Sequence, residues 1–61
     1  MYCVLTKCYD DLTSEIVIVQ ESKLPKKYKS GDYFAEQECD VYVDRFNTAE
    51  KAKRFVEEEL N

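Results

Sequence analysis

Thirteen acidic side chains, three thiols and five phenols are the groups in this 61-residue chain that could carry chemistry. There is no histidine, so neither a serine nor a cysteine can be activated by an imidazole base. Paired acids do occur, as Asp10-Asp11 and as Asp40 with Asp44. Two carboxylates do acid–base work only in an enclosed site that drives their pKa values apart. Nothing around these pairs builds such a site, and a chain this short has little room for the ~300 Å³ cleft that ligands usually fill. Gly31 is the only glycine, so a phosphate-cradling loop is ruled out. Cys3, Cys8 and Cys39 lack CxxC spacing and have no histidine to join them as metal ligands. The expectation is a protein that is not an enzyme and takes no cofactor and no metal.

What remains is chemistry of recognition. Lys23, Lys26, Lys27 and Lys29 cluster around Tyr28, with no acid between Ser22 and Gly31. Such a loop could hold an acidic partner, or nucleic acid through the lysines with Tyr28 stacking on a base. Its plainer role is a solvated loop. An acidic series follows: Asp32, Glu36, Glu38, Asp40 and Asp44, with Tyr42 among them. Alternate acids on a strand stand about 6–7 Å apart, close to phosphate spacing along one DNA strand. That spacing suits a mimic of nucleic acid. Its plainer role is a solvated face that keeps a sheet edge from aggregating. The net charge of −4 argues against an autonomous nucleic-acid binder, whose affinity rests on a cationic surface.

The elements that must position these groups fit one small domain spanning residues 1–61. A domain of this size buries only about 60% of its extended surface. It therefore depends on efficient packing, a staple or a partner subunit. Cys3 and Cys8 are five apart and point to opposite faces of any shared strand, so they cannot bond each other. The thiols are expected reduced and chiefly as small buried apolar groups, with a Cys39 disulfide as the alternative. No apolar run approaches the ~20 residues of a membrane span, and no basic-plus-apolar leader precedes the first strand. The expected setting is cytoplasmic.

Tyr2–Tyr9 is dense in β-preferring residues and apolar on both faces. After a turn at Asp10–Ser14, the β-branched run Ile16-Val17-Ile18-Val19 makes Glu15–Gln20 a second strand. Glu21–Gln37 holds Pro25 and the Ser30-Gly31-Asp32 turn signal, and Tyr33-Phe34 could already begin the next strand. Glu38–Phe46 alternates, with Cys39, Val41 and Val43 on one face and Asp40, Tyr42 and Asp44 on the other. The first of these faces is expected to meet the helix. Asn47 or Thr48 can cap that helix. Its apolar stripe is Ala49, Ala52, Phe55, Val56 and Leu60, within a sector of about 140°. Glu50 and Arg54 form a favourable pair one turn apart, whereas Glu57-Glu58-Glu59 opposes the helix dipole and should fray the last turn unless basic groups neutralise it.

The fold expected is α+β: a three-stranded antiparallel sheet, β-β-loop-β-α, with one C-terminal helix on one face. Strand two is the first choice for the centre, strand one the alternative. One helix covers one face only, so the other needs the long loop or a second copy of the chain, and a homodimer is expected. Five tyrosines suit an interface. Three functions compete. The first is a small protein-binding module, an inhibitor or modulator of a host nucleic-acid enzyme acting through the acidic surface. The second is a nucleic-acid-binding accessory using Lys23–Lys29. The third is a structural subunit of a larger assembly. A tiny, acidic, histidine-free chain resembles the accessory proteins of phages and mobile elements, which supports the first.

Overall fold

The computed structural model describes residues 1–60, the side chain of Leu60 excepted. The β-rich runs form strands β1 (Tyr2–Tyr9), β2 (Ser14–Gln20), β3 (Tyr33–Ala35) and β4 (Cys39–Phe46), and the chain continues into helix α1 (Ala49–Leu60). The fold is α+β with an antiparallel sheet and a C-terminal helix, but the sheet has four strands, in the order β2-β1-β4-β3. The strand missing from the three-stranded expectation is Tyr33-Phe34-Ala35. It is separate from β4 because the chain reverses between them, where the Glu36 amide donates to the Cys39 carbonyl at 2.9 Å.

The strand order overturns the first choice and follows the alternative: β1 is inside the sheet and β2 is an edge. Leu5 sits between Val17 on one side and Val43 on the other. The reason lies in the two-sided burial of β1, where Cys3, Val4 and Leu5 are all buried. The apolar run of β2 suggested a strand covered on both faces, yet Val17 and Ile18 are 39% and 37% exposed.

A tight turn joins β1 to β2. The Tyr9 amide donates to the Thr13 carbonyl at 2.9 Å and the Leu12 amide to the Tyr9 carbonyl at 3.1 Å. Asp11 accepts from both the amide and the hydroxyl of Thr13, which holds its pKa below the ordinary value. Leu12 completes the turn with φ of 72°, a position that glycine or asparagine usually takes in such hairpins.

The largest correction concerns what covers the sheet. Cys39, Val41 and Val43 were expected under the helix. They pack instead with Cys3 and Leu5 beneath the long connection, in one cluster with Leu24 and Tyr28. That connection holds two short 3-10 turns, Glu21–Lys23 and Lys26–Tyr28. Leu24 and Tyr28 are four residues apart and both only 3% exposed, so the loop acts as the lid of this face.

Helix α1 lies on the opposite face, over Val4 and Phe46. Val4 and Ala52 are fully buried, and the Phe46 and Phe55 rings lie 5.2 Å apart. Thr48 supplies the cap by accepting from the Lys51 amide at 3.2 Å. Glu50 and Arg54 approach to 3.9 Å as an exposed ion pair, which contributes little. Ala49 is exposed rather than part of the buried stripe, and the side chain of Leu60 lies outside the described residues. No helix among the described residues is long and apolar enough to cross a membrane.

All three cysteines are free thiols. Cys3 and Cys39 are buried, and burial raises the pKa of each thiol above its usual value. Cys8 departs from the buried expectation. It is exposed because it falls on the helix-bearing face, where it borders a groove that α1 leaves open.

Candidate functional site

The two candidate surfaces end on opposite sides of the sheet. On the loop side, Tyr28 is a core residue, with its ring edge-on to Phe34 at 5.3 Å between centroids. Its hydroxyl donates to Glu36 Oε2 at 2.6 Å. Lys27 Nζ lies 3.2 Å from the same oxygen and 4.9 Å from the Tyr28 ring centroid. The Cys39 thiol reaches Glu36 Oε1 at 3.8 Å. The hydrogen bond from Tyr28, reinforced by Lys27, holds the Glu36 carboxyl below its ordinary pKa. The bond to Glu36 holds the Lys27 ammonium above its own. Glu36 is therefore a latch on the loop and does not belong with the other acids.

Arg45 is the second fastening. One of its guanidinium nitrogens donates to the carbonyls of Tyr28 at 3.1 Å, Lys29 at 3.4 Å and Gly31 at 2.9 Å. It closes the carbonyl end of the Lys26–Tyr28 turn, whose acceptors the turn itself cannot satisfy. Gly31 is needed there for space: a side chain would begin 3.3 Å from the Phe34 ring. Lys23, Lys26 and Lys29 remain exposed on the outer surface of the lid. Tyr28 has no ring face to offer a base.

On the helix side, Asp40, Tyr42 and Asp44 share a face of β4, as their alternation requires. Tyr33 of β3 is directly opposite Tyr42, and their rings lie 5.2 Å apart. Both are open to solvent, 51% and 42% exposed. The Tyr33 hydroxyl donates to Asp40 Oδ1 at 3.0 Å, and that bond raises the Tyr33 pKa, keeping the phenol protonated. Helix α1 covers the Phe46 end of this face and stops short of the tyrosines. A groove of about 740 Å³ results, walled by Phe55 and Glu59 on one side and Tyr33 and Tyr42 on the other, with Asp32 and Asp44 along it.

The acidic series is thus divided. Asp32, Tyr42 and Asp44 line the groove, and Asp40 stands beside it, bonded to Tyr33. Glu36 is on the reverse face, and Glu38 stands beside the first hairpin, its carbonyl accepting from the Asp10 amide at 3.2 Å. Asp40 and Asp44 are four residues apart on one strand, about 13–14 Å. Phenol faces attract guanidinium groups, and carboxylates beside them accept paired N–H bonds. The phenols and carboxylates of the groove are the groups that bind arginine and lysine side chains, and Arg45 also borders it. Among the described residues no group of three or more acids or thiols is gathered as a metal site.

Four contributors escaped the sequence reasoning. Tyr33 joins the site only through the β3–β4 register, and Phe55 and Glu59 only through the angle at which α1 crosses the sheet. Arg45 follows the alternation of β4 onto the loop side, but no spacing announces its carbonyl acceptors. Comparison with protein-family models, with curated proteins and with solved structures finds no match to this chain.

Proposed function

We propose that the protein is a small non-enzymatic binding module that occupies a basic surface on a protein partner. The contact is the Tyr33–Tyr42 groove with Asp32, Asp40 and Asp44. Its partner class is a nucleic-acid enzyme, whose phosphate-binding surface offers the arginines and lysines that the groove accepts. Occupying that surface makes the protein an inhibitor or modulator, in the manner of small accessory proteins of phages and mobile elements. The observation that carries the proposal is the exposed tyrosine pair set among carboxylates on the part of the sheet that α1 leaves uncovered. Exposed aromatic patches rimmed by charge are the usual anchors of protein interfaces.

Nucleic-acid binding by Lys23, Lys26, Lys27 and Lys29 has weaker support, because Tyr28 is buried and Lys27 is engaged by Glu36. The test is affinity capture from cell lysate at physiological salt, read by mass spectrometry, with Tyr33→Ala/Tyr42→Ala alongside. The proposal expects a specific nucleic-acid enzyme that the double variant releases. Capture of chaperones alone, or equal capture by the variant, contradicts it. Binding of DNA or RNA in a salt titration would restore the lysine loop.

A further inference from the structure

The outer edge of β2 is seven residues long, Ser14–Gln20, and no described strand pairs with it. Edges of this length are usually blunted by proline, lysine, an inward charge or a bulge. Ile16-Val17-Ile18-Val19 has none of these, and β2 runs beside β1 in unbroken register. Val17 and Ile18 point to opposite faces and are both more than a third exposed, at 39% and 37%.

The phase of the backbone can be read from the ends of the β1–β2 pair. The Glu21 amide donates to the Met1 carbonyl at 3.0 Å, and the Thr13 carbonyl accepts from the Tyr9 amide at 2.9 Å. Odd-numbered residues of β2 therefore turn their backbone groups toward β1. Antiparallel alternation then turns the amides and carbonyls of Ser14, Ile16, Ile18 and Gln20 outward.

We propose that this edge pairs with the same edge of a second copy of the chain, antiparallel, about a two-fold axis at Val17. In that register Ser14 is opposite Gln20 and Ile16 is opposite Ile18, so the four outward residues supply both halves of the ladder. Val17 meets Val17 of the other copy, and Glu15 faces Val19 rather than an acid. Centring on Ile18 instead would put Glu15 across from Glu21, a like-charge pair that opposes association. One surface thus supplies both halves of the contact, as a two-fold interface demands, and the pairing of Ile16 with Ile18 and of Glu15 with an uncharged residue favours a second copy as the occupant. The product is a continuous sheet of two β2-β1-β4-β3 units with both helices on one face and both loops on the other. The Tyr33–Tyr42 grooves stay open at the two far edges, so the pairing is independent of the function proposed above.

The test combines light scattering over a dilution series with two kinds of variant. The wild-type mass should double with concentration. Of the backbone groups, Ile18→Pro removes an outward amide alone, which an edge strand tolerates. It should keep the far-ultraviolet spectrum and raise the dimer dissociation constant roughly tenfold or more. In a Cys8→Ser background, Val17→Cys should cross-link rapidly under mild oxidation, because a non-hydrogen-bonded pair holds its Cα atoms about 4.5 Å apart, within disulfide range. Ile18→Cys should not. The cross-linking comparison decides if Ile18→Pro fails to fold. A monomer at every concentration, a dimer indifferent to Ile18→Pro, or faster cross-linking through Ile18→Cys overturns the proposal.

Discussion

The lysine loop and the acid-bearing face of β4 look equally available when written as sequence, and the fold treats them in opposite ways. The loop is consumed by the core: Leu24 and Tyr28 close one face of the sheet, and Glu36 and Arg45 fasten them. On the other face α1 covers Val4 and Phe46 and stops, leaving Tyr33 and Tyr42 exposed beside Asp40 and Asp44. The difference teaches that a charged run around an aromatic is a poor guide to a contact surface when the aromatic is the residue that pays for the run's position. In a 61-residue chain, every large side chain that can reach the core is drawn into it, because total stability is only about 3–9 kcal/mol at the usual value per residue.

Tyr28→Ala is the substitution with the largest expected effect. It deletes a buried ring at a cost of about 3–5 kcal/mol, which should lower the urea midpoint followed by circular dichroism more than any other substitution named here. A loss below about 1 kcal/mol, the range of exposed pairs, would mean that the loop is not a lid and would erase the contrast between the two sides. Arg45→Ala removes a charged donor from three carbonyls and should cost about 2 kcal/mol in urea denaturation, with faster amide exchange at Tyr28 and Lys29.

The latch also titrates. The Glu36 pKa is depressed in the fold, so its contribution is complete above the ordinary glutamate pKa and is lost as pH falls through the lower folded value. Stability should decline with acid across that window. Glu36→Gln should remove this component of the pH dependence, and an unchanged acid profile would show that the latch does not hold the loop. The smallest effects belong to the open face. Tyr33→Ala and Tyr42→Ala should each cost less than about 1 kcal/mol, the range of exposed cross-strand pairs, while abolishing partner capture. A larger loss of stability would make these tyrosines core residues like Tyr28.

Much of the framework was legible. β-preferring composition marked β1, periodicity marked β4 and α1, and local chemistry marked a cap at Asn47 or Thr48, which Thr48 supplies, and the Glu50–Arg54 pair. What was not legible depended on long-range pairing. Tyr33-Phe34-Ala35 is too short to display a period, so β3, and with it the Tyr33–Tyr42 pair, could not be separated from the loop. The apolar run of β2 is compatible with a central strand or an unprotected edge. Alternation in β4 identified Cys39, Val41 and Val43 as one buried side but not whether a helix or a loop would bury it. The lid residues Leu24 and Tyr28 stood among polar neighbours and carried no pattern of their own. The division of the acids followed from the same gap, since Glu36 could be assigned to the loop side only after the loop was placed.

The central claim is that the lysine loop maintains the fold while the Tyr33–Tyr42 face makes the contact. Amide hydrogen–deuterium exchange of the protein, free and bound to its captured partner, tests it most directly. New protection should appear on binding across residues 32–35 and 40–44, with residues 23–29 exchanging as they do in the free protein. New protection confined to residues 23–29, with the tyrosine face unchanged, would contradict the account.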